Sequence, residues 1–272
     1  MKIVKRITFV ALALFIGFAY SGCKKNDRDE DKETNSSRDN AIAENAFAGI
    51  MKSIGEFTDS TSLLRVASCA SFTVDSVGTT SWPKTLTIDY GSTNCIGSDG
   101  NTRRGKIIAS FSGRYRDSLT VITISLVGYY HNNNLVQVGT HTITNNGRNA
   151  AGNLSYSINV SNASITTTEG IIKWNSSRTR EWIAGESTTT NAMDDVYSIV
   201  GSASGTGVNG NGFNVTIYIP LIVALDCQFI TKGAMVLSPI NLSSRYVDFG
   251  DGTCDNKAVV NINNVNYDIY MY

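Results

Sequence analysis

An all-β fold is predicted: a large antiparallel meander, closing into a sandwich or a strongly curved sheet, with one amphipathic helix ahead of it. Three observations carry this. From residue 71 onward, β-branched and aromatic residues alternate with polar ones at period two. The links between these runs are short and rich in Asn and Gly, residues that tolerate the positive φ of tight hairpins. Only three prolines occur in 272 residues, so little interrupts the strands.

The first element is not part of the fold. Met1 to Gly22 reads as a lipoprotein signal peptide: Lys2, Lys5 and Arg6 supply the positive start, and Ile7 to Tyr20 is an apolar run of 14 residues. That is the length of a signal h-region and too short to span a bilayer. The segment closes on YSGC, and small residues directly before a cysteine resemble a bacterial lipobox. The resemblance implies diacylglyceryl transfer to the Cys23 thiol, cleavage ahead of it, and a membrane partner reached through the acyl anchor. Residues 23–39 follow as a tether. KKNDRDEDKETNSSRD holds five basic and six acidic residues and no large apolar side chain, so it cannot bury enough surface to fold. An acidic cluster just after a lipidated cysteine also resembles the surface-export signal of Bacteroidota lipoproteins. This implies the outer membrane, with display on the cell surface.

Residues 40–57, NAIAENAFAGIMKSIGEF, form the predicted helix, because Ala43, Phe47, Ile50, Ile54 and Phe57 recur at steps of three and four. It is expected to cover one face or end of the sheet. Asp39, Glu44 and Glu56 against the single Lys52 speak against a membrane-surface helix. Residues 58–272 are the β domain. SFTVDSV, TLTIDY, KIIASFSG, SLTVITISL, LVQVGTHTIT, LSYSINV, GIIKW, VYSIVGSAS, FNVTIYI and KAVVNINNVNYDIYMY read as its strands, joined by hairpin links such as HNNN, TNNG, NGNG and INN. Pro220 is expected at a corner or edge between two of them.

Charge narrows the function classes. The formal net charge is zero and charged residues are 17% of the chain, many of them in the tether. With no basic stripe, a nucleic-acid partner is not expected. GTGVNG at 205–210 matches a dinucleotide fingerprint by letter, but a strand pattern follows where the phosphate site needs a helix N-terminus, so it reads as a hairpin loop. Neither a nucleophile elbow nor a CxxC or HExxH motif occurs, and His131 and His141 read as an isolated surface pair. No catalytic residue, cofactor or metal site is therefore assigned. Carboxylates for glycoside hydrolysis would have to come from scattered residues, Glu169, Glu181, Glu186, Asp194 or Asp195, brought within about 5 to 10 Å of each other. Asp248, Asp251 and Asp255 invite a calcium reading, but their spacing is not that of an EF-hand loop. VDFGDGT resembles the signature hairpin of PKD domains.

One constellation suggests binding. In WNSSRTREW, Trp174, Arg178, Arg180 and Trp182 all stand at even positions, so on one strand they share a face. They could rigidify the strand as a cation and aromatic ladder. Alternatively the strip could hold a glycan or an anionic polymer.

Two stretches repeat. IDYGSTNC (88–95) and VDFGDGTC (247–254) align with Asp89 on Asp248, Tyr90 on Phe249, Gly91 on Gly250 and Cys95 on Cys254, 159 residues apart. Cys69 and Cys227 precede them at nearly the same offset, so residues of about 65–112 and 223–263 read as a duplicated unit. Counting through the turns puts Cys69 opposite the neighbourhood of Gly91 and Cys227 opposite that of Asp251. With Cys23 lipidated, four cysteines remain in an exported protein. They pair as Cys69–Cys95 and Cys227–Cys254, or stay as buried thiols. Ile88 and Tyr90, like Val247 and Phe249, are expected to point into the core.

Finally, TNNGRNAAGNLSYSINV, SSRTREWIAG and DFGDGTCDNKA resemble uncharacterised Bacteroidota cell-envelope lipoproteins, a family without an assigned activity. The resemblance supports the address and the β content and carries no catalytic residue across. The expectation is a lipid-anchored, non-catalytic β scaffold that binds a glycan or an envelope protein or serves structurally. The alternatives are a carbohydrate-active enzyme of β-sandwich type, which needs two facing carboxylates, and a lipid or lipoprotein carrier, which needs a deep apolar cavity.

Overall fold

The computed structural model describes residues 31–58, 70–75, 81–97, 99–188 and 191–271. Cys23, Cys69, the signal segment and most of the tether lie outside these residues. Chain contacts separate Met1–Lys32 from a unit spanning Glu33–Tyr272, and only the second is described below.

Helix α1 spans Asn35–Thr58. It begins five residues earlier than its apolar periodicity predicts, so the tether does not extend to residue 39. The reason is local capping. The Glu33 carboxylate accepts the Ser36 N–H at 3.1 Å and the Ser36 hydroxyl at 3.1 Å, satisfying donors that a helix start leaves open. The strands are β1 (Ser71–Val74), β2 (Lys84–Asp89), β3 (Cys95–Ile96), β4 (Thr102–Phe111), β5 (Val121–His131), β6 (Asn134–Gln137), β7 (Thr140–Arg148) and β8 (Leu154–Thr166). They continue with β9 (Ile171–Ala184), β10 (Val196–Thr206), β11 (Gly212–Ala224), β12 (Lys232–Pro239), β13 (Arg245–Asp251), β14 (Lys257–Ile262) and β15 (Val265–Tyr270).

All fifteen lie in one antiparallel sheet of order β1-β2-β4-β5-β6-β8-β9-β10-β11-β12-β13-β14-β15, with β3 on β4 and β7 bridging β5 and β8. It is the expected meander. Of the two closures left open by the sequence, the curved sheet is the one present. α1 shows why: it is buried on its polar positions, Asp39, Asn40, Glu44, Asn45, Lys52 and Ser53, as well as on Ala43, Phe47, Ile50 and Ile54. Its side chains meet Met235 on β12, Trp174 on β9, His141 on β7 and, just past β2, the Tyr90 hydroxyl. A Cβ on Gly49 would stand 2.6 Å from His131 Nε2 on β5, so any larger residue at that helix position would have to displace the buried ring. One helix reaches so many strands only if their inner faces curve around it. It therefore lies on one face of the sheet, the concave one, and fills the space that face encloses.

Two further expectations are corrected. Pro220 stands inside β11 rather than at a corner, and β11 passes it by slipping register on both sides, between Ile199 and Ser202 of β10 and between Ile217 and Ile222 along β12. A residue without an N–H is accommodated where the ladder is already interrupted. His131 and His141 are interior residues, 3% and 0% exposed, because inward positions of β5 and β7 carry them against α1.

Candidate functional site: the buried column of β9

Along β9 the burial alternates strictly from Ile171 to Trp182 except at Glu181, which is half-buried. Trp174, Ser176, Arg178, Arg180 and Trp182 all face inward and are buried. The four residues expected as a strip do share one face, but that face is the interior. They are therefore not a surface for a glycan or a polymer. Their burial follows from the sheet closing around α1, which puts a helix, not solvent, opposite the column.

Each member has a partner suited to burial. Trp174 stacks on Phe47 with centroids 5.1 Å apart and donates its Nε1–H to Asn40 Oδ1 at 3.1 Å. Phe47 in turn meets His141 edge-on at 5.5 Å. Arg178 pairs with the Glu44 carboxylate of α1, a buried ion pair. Arg180 donates to the Tyr115 hydroxyl and lies over the rings of Tyr197, at 4.2 Å, and Tyr156, at 5.2 Å. Trp182 donates to Asp195 Oδ1 at 3.2 Å, and Asp195 also accepts the Tyr197 hydroxyl at 3.4 Å. A second interior cluster forms beside it: Arg103 and Asp99 make two hydrogen bonds of 2.7 and 2.5 Å. Burial alone would raise the Asp99 carboxyl, but the Arg103 bonds and charge outweigh it and hold the group well below the usual carboxylate range. Both histidines are pushed down to about 3, His131 by burial and the Arg103 charge, His141 by burial alone, so each is neutral in the folded protein.

Between α1 and the inner faces of β7 to β11 lies a cavity of about 60 Å³. Apolar walls come chiefly from Phe47, Met51, Trp174, Val160 and Val223. Glu44, His141, Ser176, Arg178 and Arg180 add polar atoms to the same lining. Five of those atoms are buried without a hydrogen-bond partner: Arg178 Nε and Nη1, Arg180 Nε, and both ring nitrogens of His141.

The carboxylates considered for glycoside hydrolysis are each occupied. Glu169 pairs with Arg38, Glu186 with Arg148 at 2.6 Å, and Glu181 accepts from Asn153 at 2.7 Å. Asp194 accepts from Thr188 at 2.9 Å, and Asp195 holds Trp182. Asn153 lowers the Glu181 carboxyl and Arg148 that of Glu186, opposite to the rise a general acid needs. Asp248, Asp251 and Asp255 are spent on turns, accepting the backbone N–H of Gly250 at 2.9 Å, Thr253 at 3.2 Å and Lys257 at 2.9 Å. Among the described residues no group of three or more His, Cys, Asp or Glu could hold a metal ion. GTGVNG is the end of β10 and the turn to β11, where the Val208 N–H donates to Asp39 at 2.9 Å.

The two repeated stretches share their turn. Asp89 accepts the Gly91 N–H at 2.8 Å as Asp248 accepts that of Gly250, and both glycines have positive φ, 75° and 95°. Ile88, Tyr90, Val247 and Phe249 are all buried. The units differ in register. Ser71 pairs with Asp89, whereas Asp251 pairs with Lys232, not with the neighbourhood of Cys227. Cys227 nonetheless bonds Cys254, with Cα atoms 5.8 Å apart, because residues 225–231 form a loop that returns toward the strand ends. Cys95 is also disulfide-bonded; its expected partner Cys69 lies outside the described residues.

Sequence reasoning missed Glu44, Tyr115, His141 and Tyr197 as members of this interior. Only Glu44 left a signal, an acidic residue within the predicted helix and close to its apolar stripe. Compared with known proteins, the chain matches no family model, no curated protein and no solved structure.

Proposed function

We propose that the chain is a lipid-anchored protein of the outer membrane, displayed at the cell surface, and that its β scaffold is non-catalytic. The observation that carries the non-catalytic part is the position of α1. Between β7 and β11 the concave interior, where a curved sheet would hold a lipid or a substrate, is filled by the chain's own helix, and the space left there, about 60 Å³, is under half the roughly 150 Å³ that accommodates benzene. That is too small for an acyl chain. The engaged carboxylates argue in the same direction against the glycosidase alternative. A glycan or envelope-protein partner would meet the outer face instead. There Asn159, Ser177, Ser202 and Thr216 align in one row across β8 to β11, with Asn175, Ser204 and Asn214 in the next.

The anchor rests on the YSGC stretch and on the polar tether, which meets the domain at Glu33 beside the start of α1. Among the described residues no helix is long and apolar enough to cross a membrane. Replacing Cys23 by Ser is expected to move the protein from washed membranes to the soluble fraction. Retention of the variant in membranes would overturn the lipoprotein reading. Protease shaving of intact cells then reads the facing: cleavage supports surface display, and full protection overturns it.

A further inference from the structure

We propose that a second cavity, of about 250 Å³ at the ends of β1, β2 and β4, binds a small aromatic monocarboxylate, with the ring against Trp82 and Phe111 and the carboxylate at Arg114 and Lys84. The site goes beyond the reading above and rests on neither the anchor nor the surface address. No residue of α1 lines it, so the helix does not fill this end of the concave face.

Strand register explains where the cavity comes from. Val74 pairs with Leu86 and Lys84 with Phe111, so these four side chains share the inner face of β1, β2 and β4. Leu86, Phe111 and, just past β4, Tyr115 are buried and make the lining apolar. Trp82, two residues ahead of β2, lines the same space and is 38% exposed, so the cavity opens to solvent beside an indole. The volume exceeds the roughly 150 Å³ that accommodates benzene, which leaves room for one ring and a short acidic arm.

The lining combines aromatic surface with positive charge. Lys84 holds an inward position of β2, where Leu86 and Ile88 are core, and its Nζ lies 5.2 Å from the centroid of the Trp82 ring. Arg114 is exposed, lines the same cavity, and among the described residues makes no hydrogen bond or ion pair. None of the lining side chains is acidic. A lining with two cationic side chains and no acidic one selects an anion, and the paired N–H donors of a guanidinium fit a carboxylate. The rings select the rest of the ligand. Inorganic phosphate would match the charge and leave the apolar wall uncovered, whereas a neutral ring would cover the wall and leave Arg114 unpaired.

Trp82 gives the site its own signal, because the other two tryptophans, Trp174 and Trp182, are each 1% exposed. The test is titration of the purified protein with phenylacetate, followed by tryptophan fluorescence and by calorimetry. The controls are phenylacetamide, a neutral analogue of the same shape, and acetate, the charge without the ring. Phenylacetate is expected to bind saturably, and each control to bind at least about tenfold more weakly. Arg114→Ala, at an exposed position, should weaken phenylacetate about tenfold or more and leave the thermal midpoint where it was. If that variant is destabilised, Val74→Phe, which fills the cavity from β1, takes its place and should abolish binding. No saturable response to phenylacetate, equal binding of the acid and the amide, or full affinity in either folded variant would overturn the proposal.

Discussion

The two faces of β9 are made by the same fourteen residues, yet they hold the protein in different ways. Lys173, Asn175, Ser177 and Thr179 point outward and are exposed, and their cross-strand neighbours Ser202 and Ser204 are just as small and polar. One residue over, Trp174 and Arg178 are bound to α1, Arg180 lies on the ring of Tyr197, and Trp182 is bound to Asp195. The outer face needs only to be wetted. The inner face must find partners within the protein for most of the polar atoms it buries, because bulk water is not there to supply them, and the few left without one stand out. Polarity therefore does not mark the outside of this sheet: two of the five side chains in its buried column are arginines.

Acid should break the inner face first. His131 and His141 are held neutral, pushed down to about 3, against 6.5 in the unfolded chain. Below pH 6.5 the unfolded state takes up protons that the folded state refuses. Stability is therefore complete above that value and lost progressively down to about pH 3. The slope is about 1.4 kcal/mol per pH unit for each histidine, or about 5 kcal/mol for the pair between pH 7 and 4.5. A thermal midpoint that stays flat over that range would show that the histidines are not buried neutral, and His141→Gln should roughly halve the slope.

Next comes Trp174→Ala, which removes the stack on Phe47 and the bond to Asn40 and should cost about 3–5 kcal/mol in urea unfolding. A loss below 1 kcal/mol would mean that the column does not join helix to sheet. Glu44→Ala leaves Arg178 buried without its carboxylate and should cost about 3 kcal/mol, whereas Glu44→Met combined with Arg178→Met should cost less than the single change. Strict additivity of the two would argue that the residues are not a pair. At the small end, Ser177→Ala and Thr179→Ala on the outer face should each stay within about 0.5 kcal/mol.

Much of the local structure was legible because its causes are local. The Asn and Gly links set hairpins, period-two alternation set strands, and the spacing of Ala43, Phe47, Ile50 and Ile54 set a helix that the structure extends chiefly at its start. The Cys227–Cys254 bond was readable for the same reason, since both cysteines flank one strand pair, although the register between Asp251 and Lys232 was not. The shared face of Trp174, Arg178, Arg180 and Trp182 was also in the letters, because parity on a strand is a property of the backbone alone.

What no local pattern could say is which of the two faces of β9 is inside. Parity is symmetric, and the choice depends on the curvature summed over fifteen strands and on where a helix more than a hundred residues away comes to rest. Read alone, a row of tryptophan and arginine suits a ligand as well as a core. Only the curved sheet put α1 against it, turned Glu44 into the partner of Arg178, and brought His141 and Tyr115 into the same interior. Hydrophobic periodicity determined the elements. Long-range packing, which weighs the desolvation of two arginines against the apolar area their neighbours bury, decided what faces what.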